Sequence, residues 1–191
     1  MSFRNEEKLQ IDKNKLLIFK KYLSQKKAIR IFKSRLVKSI YFDNKNFDMY
    51  HNSIEGIVPR KKIRIRSYPD SSKKLMLEKK ISSVEGRYKT SNEIKNNSIL
   101  KKGIFDNDYG KCMPVTIVNY LRSYYLIDNI RITLDENIFY NKFNREKKYT
   151  EKLIVAELKY PFNKKLSEVD NLFPFTRIRF SKYSNSVEKC Y

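Results

Sequence analysis

Apolar and polar residues alternate along much of this sequence, which predicts a protein built mainly of β-strands, because successive side chains of a strand point to opposite faces. Segments with this alternation recur along the whole chain and predict about eight strands. They are Phe3–Ile11, Leu36–Phe42, two strands joined at the turn Tyr68-Pro69-Asp70-Ser71-Ser72, Val115–Arg122, Ile130–Asp135, Leu153–Tyr160 and Thr176–Lys182.

Helical spacing of apolar residues is found in fewer places. It predicts one helix beginning near Asn14 and a second around Val169. The polar stretch 92–102 predicts a short helix that covers one end, and residues 184–191 are expected to form a tail. The pattern therefore favours an α+β protein in which helices accompany an antiparallel sheet.

The strand beginning at Arg60 has the most unusual content. Its alternate residues Arg60, Lys62, Arg64 and Arg66 share one face, while isoleucines occupy the other. Taken alone, such a strand is more typical of a solvated sheet edge whose charges block aggregation. Later strands also mix cations with single acids on one face, and that repetition favours an anion-binding surface.

Two arrangements of these faces are compatible with the alternation. If the charged faces turn outward, the apolar faces fill a small barrel core. If the charged faces turn inward, the strands enclose a basic tunnel, and helices must cover the apolar exterior. Periodicity alone permits both.

Composition narrows the class of partner. A length of 191 residues predicts a single domain spanning 1–191. The 42 Lys and Arg against 21 Asp and Glu give a net charge of +21, which favours nucleic acid, an anionic membrane surface or a polyphosphate-like ligand. The chain is also rich in Lys, Asn, Ile and Tyr together, so part of the charge can reflect general residue bias.

Several kinds of chemistry are disfavoured by what the sequence contains. Two cysteines without metal-ligand spacing and a lone histidine, His51, argue against zinc sites and against Ser-His or Cys-His catalysis. The first residues lack the apolar core of a signal peptide, and no apolar run approaches the roughly 20 residues that span a bilayer. We expect a cytoplasmic protein.

Seven short motifs occur in an order that resembles a known family. They are Arg4-Asn5-Glu6-Glu7-Lys8, Tyr41-Phe42-Asp43, the alternating Arg60 to Tyr68 strand, Leu77-Glu78-Lys79-Lys80 with Lys89, Tyr120-Leu121-Arg122, Arg131-Ile132-Thr133-Leu134-Asp135 with Val155-Ala156-Glu157-Leu158-Lys159-Tyr160, and Phe180-Ser181-Lys182-Tyr183. Together they resemble the VTC domain, the polyphosphate polymerase branch of the triphosphate tunnel metalloenzymes, in its compact, free-standing bacterial form. Leu9 and Thr90-Ser91 depart from the family pattern.

The resemblance implies a fold, a reaction and a set of partners. The implied fold is a closed antiparallel β-barrel tunnel of about eight strands, with a basic lumen and with helices outside and at the ends. The implied reaction is metal-dependent transfer of the ATP γ-phosphate to inorganic polyphosphate. The implied partners are ATP or another triphosphate, polyphosphate, Mn²⁺ or Mg²⁺, and a membrane-protein partner. No specific nucleic-acid motif is present.

The resemblance also assigns roles to individual residues. Arginine and lysine suit phosphate oxygens, since Arg offers a planar fork and Lys a point charge. The residues implied to act on the transferred phosphate are Arg64, Arg66, Lys80, Arg122, Arg131 and Lys182. Those implied to bind phosphate elsewhere are Lys8, Arg60, Lys62, Lys89, Tyr120, Lys159 and Ser181. Glu157, assisted by Glu6, is the implied metal ligand, while Glu78 and Asp135 are expected to orient neighbouring cations.

Two other functions remain open at this point. Water in place of polyphosphate would make the same site a triphosphatase or polyphosphatase. A non-catalytic module that binds polyphosphate or nucleic acid is the remaining alternative, and the Tyr and Phe content could serve base stacking in it. The carboxylate of Glu157 has no evident purpose in a pure phosphate-backbone binder.

Overall fold

A computed structural model describes residues 4–191 and shows an α+β fold built on antiparallel sheet. Phe3, with which the predicted first strand begins, lies outside the described residues. The strands are β1 Arg4–Ile11, β2 Ile29–Asp43, β3 Arg60–Tyr68, β4 Ser72–Ser82, β5 Arg87–Ile94, β6 Ile104–Asp106, β7 Gly110–Ile127, β8 Ile130–Lys142, β9 Lys148–Thr150 and β10 Ile154–Pro161. The helices are α1 Leu16–Gln25, α2 Asp48–Glu55, α3 Ile99–Lys102, α4 Leu166–Leu172 and α5 Lys182–Cys190, with a 3-10 turn at Lys13–Lys15.

The predicted strands other than Thr176–Lys182 are present, but several are longer than the alternation indicated. β2, β7 and β8 each extend well beyond the predicted segments. Of the helix predicted over 92–102, only α3 is present. Residues 92–94 belong instead to β5, because residues 87–94 pair with Leu75 to Ser82 of β4. The closure of the sheet into a barrel stays a prediction.

The end of the chain forms a helix where the sequence predicted a tail. Residues 182–190 form α5, in which Tyr183 and Val187 are buried one helical turn apart. Ser181 begins this helix, since its hydroxyl accepts a hydrogen bond from the Ser184 backbone N–H at 3.2 Å. The predicted last strand, Thr176–Lys182, is reduced to a short extended stretch in which Arg177 pairs with Leu9 of β1.

The helix α2 was not predicted from the sequence. Asp43 stabilises its start, because its carboxylate accepts hydrogen bonds from the backbone N–H groups of Met49 at 3.1 Å and Tyr50 at 3.0 Å. Gly56 ends the helix in the left-handed conformation, at φ 80°. Because α2 is short and rich in polar residues, the spacing of apolar residues did not predict it.

The chain divides into two compact units. Unit 1 contains Met1–Arg35 (described from Arg4), Tyr120–Ile138 and Thr150–Phe180, and unit 2 contains Leu36–Asn119, Phe139–Tyr149 and Ser181–Tyr191. The long strands β2, β7 and β8 contribute residues to both. A single domain over residues 1–191 stays a prediction.

In unit 1 the strands follow the order β1, β10, β8, β7 and β2. β1 and β8 both pair antiparallel with β10. One face of this sheet is apolar: Ile132 and Leu158 are fully buried in a core with Phe19 of α1, Val169 of α4 and Phe173. Because the helices cover the apolar face, the charged residues of the same strands lie on the opposite face.

In unit 2 the strands β2, β3, β4 and β5 are neighbours in that order, and β6 pairs with β7. Ile63 and Ile65 of β3 are buried, as the alternation predicts. Their neighbours Arg64 and Arg66 therefore belong to the other face. Among the described residues of the whole chain, the helices are all too short or too polar to cross a bilayer.

Candidate functional site

Two adjacent strands of unit 1, β1 and β10, bring together the carboxylates predicted to bind metal. The antiparallel register places Glu6 opposite Lys159 and Lys8 opposite Glu157. Lys159 Nζ lies 2.6 Å from Glu6 Oε1 and 3.3 Å from Glu157 Oε1, so one ammonium contacts both carboxylates. We call this surface the carboxylate face, and it consists of Glu6, Lys8, Arg122, Asp135, Glu157 and Lys159.

Arg122 is held on this face by a two-point contact with Asp135. Its Nε and Nη2 atoms lie 2.6 and 2.7 Å from the two carboxylate oxygens of Asp135, which is fully buried. Burial would lower the pKa of Arg122, but the charge of Asp135 raises it well above its ordinary value. Arg122 Nη2 also lies 3.7 Å from Glu157 Oε2. Its guanidinium is therefore permanently charged and fixed in direction.

The other residues predicted on these strands occupy different environments. Tyr120 is buried, and the Arg122 guanidinium lies over its ring at 5.2 Å from the centroid. Lys8 donates a hydrogen bond to the backbone oxygen of Phe180. Arg131 is opposite Lys159 in the register and is exposed.

The donor chemistry of the carboxylate face fits a hard divalent cation. Mg²⁺ in proteins is commonly bound through one or two carboxylates together with substrate phosphate oxygens. Glu6 and Glu157, which already share the ammonium of Lys159, supply two such carboxylates. Over residues 4–191 the structure contains no group of three or more His, Cys, Asp or Glu side chains arranged to hold a metal ion. A cation here would therefore need further oxygen ligands from a substrate.

A second charged surface lies on unit 2, where Glu78 of β4 gathers cations from two neighbouring strands. Arg64 contacts Glu78 Oε2 through Nε at 2.7 Å and Nη2 at 2.6 Å, and Lys89 Nζ lies 2.6 Å from Oε1. Arg66 Nη1 lies farther away, at 3.8 Å. Burial alone would raise the pKa of Glu78, but these cations lower it to about 2. Glu78 is thus an ionised carboxylate that orients the cations around it.

Three lysines face one another directly on the same surface. Lys62 of β3 is opposite Lys80 of β4, and Lys80 is opposite Lys89 of β5. Like charges placed directly opposite across strands are destabilising. We call this surface the arginine face; it consists of Arg64, Arg66, Lys62, Glu78, Lys80 and Lys89.

The remaining predicted residues of unit 2 lie beside this face or turn away from it. Lys62 Nζ donates to Ser181 Oγ at 2.9 Å, and Lys182 begins α5 directly after that serine. Arg60 donates through Nη1 to the backbone oxygens of Gly56 at 3.3 Å and Ile57 at 3.0 Å, in the loop before β3.

Tyr41 joins the arginine face although the sequence assigned it no role. Its hydroxyl accepts a hydrogen bond from Arg64 Nη1 at 3.1 Å, and it lies directly opposite Arg64 across β2 and β3. Asp43, two residues later, is bonded to the hydroxyl of Tyr183 and ties α5 to unit 2. Burial raises the pKa of Asp43 despite these hydrogen bonds. The motif Tyr41-Phe42-Asp43 was the available signal for both residues.

Solved structures of low sequence identity share this fold. A candidate adenylate cyclase from Vibrio parahaemolyticus is 13% identical, with 98% of each chain covered and a TM-score of 0.60. A candidate adenylate cyclase from Bacillus halodurans is 13% identical, with 94% of each chain covered and a TM-score of 0.64. A candidate adenylyl cyclase from Hippeastrum, described as having a dominant triphosphatase activity, is 16% identical over 99% of this chain and 97% of its own, with a TM-score of 0.58.

Sequence comparison identifies the family. A search of curated proteins found no match. The VTC domain, however, matches residues 3–107 and 104–191, so the match runs through almost all of the sequence, including the strands of both charged faces. The resemblance indicated by the seven motifs is thereby confirmed, and the chain belongs to the VTC domain family.

Proposed function

We propose that this protein is a polyphosphate polymerase-like phosphotransferase, which transfers the γ-phosphate of ATP to the end of an inorganic polyphosphate chain. Membership of the VTC domain family supports the proposal. The geometry supports it through one observation above all, the row of lysines at Lys62, Lys80 and Lys89 on adjacent strands. Their mutual repulsion costs stability, and a bound polyanion would relieve it.

On the arginine face, the cations are suited to hold phosphate groups. Arg64 and Arg66 offer forked donors for pairs of phosphate oxygens, and the lysine row offers point charges. Glu78 holds Arg64 in place before any ligand binds, so less side-chain freedom is lost on binding. Ser181, which contacts Lys62, adds a neutral hydroxyl at the start of α5.

On the carboxylate face, Glu157 and Glu6 would hold Mn²⁺ or Mg²⁺. When bound, such a cation neutralises charge on phosphate oxygens. Lys159 contacts both carboxylates and can donate to a phosphate oxygen in its turn. Arg122, fixed by Asp135, is oriented to stabilise charge that develops on the transferred group.

The proposed reaction is an in-line displacement. A terminal oxygen of polyphosphate forms a bond to the γ-phosphorus of ATP, the bond from that phosphorus to the β,γ-bridging oxygen breaks, and ADP leaves with the bonding electrons. The attacking oxygen is already anionic near neutral pH, so the step needs no general base. Catalysis then rests on positioning and charge neutralisation, for which arginine, lysine and a carboxylate-bound cation are suited.

A triphosphatase is the second candidate, in which water takes the place of polyphosphate as the nucleophile. The observation that favours it is the dominant triphosphatase activity described for the Hippeastrum protein of the same fold. The same cations and carboxylates would serve either nucleophile.

Incubation of the purified protein with Mn²⁺ and, in separate reactions, ATP, triphosphate or polyphosphate, followed by gel separation of the products, distinguishes these functions. A ladder of polyphosphate together with ADP supports the polymerase. ADP and orthophosphate without a ladder would favour the hydrolase. If neither ATP, triphosphate nor polyphosphate is turned over in a metal-dependent way, both enzyme proposals fail and a binding module is left. A parallel reaction with excess chelator measures the metal-independent background.

A further inference from the structure

One buried hydroxyl beside the carboxylate face, that of Thr133, has no hydrogen-bond partner among the described residues. Thr133 of β8 is 4% exposed, and its Oγ1 atom makes no hydrogen bond to any part of the chain that the structure describes. Buried polar side-chain atoms are nearly always hydrogen-bonded, since burial of an unpaired hydroxyl costs free energy. Thr133 shares this exceptional state with the fully buried Ser39 of β2, but Thr133 is the one that lies opposite Glu157.

The position of Thr133 relates it to the predicted metal ligand. Thr133 lies directly opposite Glu157 in the register of β8 and β10, and Glu157 lies opposite Lys8. Side chains directly opposite across antiparallel strands are close neighbours. The carboxylate of Glu157 nevertheless contacts Arg122 and Lys159. Hydroxyl and carboxylate are thus adjacent and do not bond to each other.

Two cations of this face lie farther from Glu157 than from a neighbouring carboxylate. Lys159 is 3.3 Å from Glu157 but 2.6 Å from Glu6. Arg122 is 3.7 Å from Glu157 but 2.6 Å from Asp135. Because Glu157 lies directly opposite Thr133, a ligand reaches the Thr133 hydroxyl when the side chain of Glu157 moves aside.

A purely structural role explains Thr133 poorly. A valine has nearly the same shape and would fill the position without an unpaired hydroxyl. Elsewhere a buried threonine of this protein is satisfied: Thr116 of β7 is fully buried, and its Oγ1 lies 2.7 Å from Ser186 Oγ. The contrast between the two threonines favours a partner for Thr133 that lies outside the described residues.

We propose that Thr133 Oγ1 is a ligand-binding group that donates a hydrogen bond to a phosphate oxygen of a triphosphate or polyphosphate held at the carboxylate face. This inference rests on the proposed function and adds a residue to its site. A hydroxyl can donate one hydrogen bond and accept others, so it can bond to an anionic oxygen beside the carboxylate of Glu157.

The proposal predicts opposite effects of Thr133→Val on binding and on stability. Loss of a hydrogen bond to a charged oxygen should weaken binding of inorganic triphosphate about tenfold in the presence of Mn²⁺. Without ligand, removal of the unpaired hydroxyl should leave the Tm unchanged or raise it. Thr133→Ser keeps the hydroxyl and should bind triphosphate within about twofold of wild type, which corresponds to a nearly intact hydrogen bond.

Thr116→Val is the matched control. It removes a buried threonine hydroxyl that has a partner, so it should lower the Tm and leave triphosphate affinity unchanged. Calorimetric titration with triphosphate and thermal unfolding without ligand would be measured on the wild type and the three variants.

The binding and unfolding measurements together test whether Thr133 binds the ligand. Weaker binding by Thr133→Val, with an unchanged or higher Tm and rescue by Thr133→Ser, supports the proposal. Unchanged binding by Thr133→Val overturns it and leaves the proposed function intact. A lowered Tm for Thr133→Val, as for Thr116→Val, also overturns it, because the hydroxyl then has a partner within the protein. If the wild type binds no triphosphate, the proposed function falls and this assignment falls with it.

Discussion

The carboxylate face of unit 1 and the arginine face of unit 2 are built on the same plan but balance their charges differently. Each contains an arginine held at short distance by a buried carboxylate: Arg122 by Asp135, and Arg64 by Glu78. On the carboxylate face, acids and cations then alternate in the register, with Glu6 opposite Lys159 and Lys8 opposite Glu157. On the arginine face, by contrast, lysine is opposite lysine.

From this difference we propose different chemistry for the two faces. Alternating charges on the carboxylate face are compensated within the protein, so this face suits a metal cation that replaces an ammonium between two carboxylates. The row of lysines on the arginine face, in which Lys62 is opposite Lys80 and Lys80 is opposite Lys89, suits a polyanion. Substitutions that remove one charge from each face should therefore change different measured quantities.

The largest effect is expected for Glu157→Gln. If Glu157 holds the metal, loss of its charge should reduce metal-dependent turnover by roughly 10²-fold or more. Affinity for triphosphate without metal should be equal or higher, because a negative charge is removed from the neighbourhood of Arg122 and Lys159. Turnover and metal-free affinity would be measured on the same preparations.

Glu7→Gln is the control for that experiment. Glu7 is the neighbour of Glu6 on β1, lies opposite Leu158, and contacts Arg177 and Tyr160. Its substitution should leave turnover within a few-fold of wild type, as for a partly exposed ion pair. Full turnover by Glu157→Gln would rule out the metal site proposed here.

Glu78→Gln tests the arginine face through its stability. The pKa of Glu78 is lowered from 4.5 to about 2, so its contribution is present above pH 4.5 and is lost as the pH falls toward 2. The shift corresponds to about 3 kcal/mol. We expect the variant to be less stable than wild type by about this amount at neutral pH, and the difference to vanish near pH 2. Urea unfolding at several pH values measures it.

Glu93→Gln provides the matched control on the same sheet. Glu93 pairs with Lys74 at 3.0 Å, and both side chains are largely exposed, at 44% and 66%. Its loss should cost less than about 1 kcal/mol at any pH. If Glu78→Gln is no more destabilising than Glu93→Gln, Glu78 does not organise the arginine face.

Arg64→Ala should weaken binding of triphosphate or polyphosphate by a factor of about ten or more, the loss expected for a charge-assisted contact. Orthophosphate, which cannot contact several cations at once, should bind far more weakly than either and respond less to the substitution. Competition titrations with the three anions provide the measurement. Equal affinity for orthophosphate and triphosphate would contradict a site that binds a phosphate chain.

The smallest effect is expected for Arg60→Ala. Arg60 shares strand and face with Arg64, but its guanidinium contacts the backbone oxygens of Gly56 and Ile57. Its removal should change triphosphate affinity less than about fivefold, as for an exposed charge. An effect as large as that of Arg64→Ala would show that Arg60 leaves the loop and binds the ligand.

The sequence predicted the family, most strands and the composition of both faces. Strand alternation has a period of two, so the residues that share a face with Arg64 or with Glu157 follow directly from their numbers. The seven motifs predicted the VTC domain through their order along the chain, and they contain the charged residues of both faces. The metal and phosphate roles of these residues stay proposals.

The sequence did not predict which charges meet across strands. The register sets Lys62 opposite Lys80 and Thr133 opposite Glu157, and it depends on turn lengths and on packing of the apolar faces, which the alternation does not specify. α5 was missed because a helix of this length depends on burial of Tyr183 and Val187 for its stability. The alternation along the chain thus determined which residues share a face. Only tertiary packing decided which of them pair across strands. Packing also decided that the hydroxyl of Thr133 has no partner within the described chain.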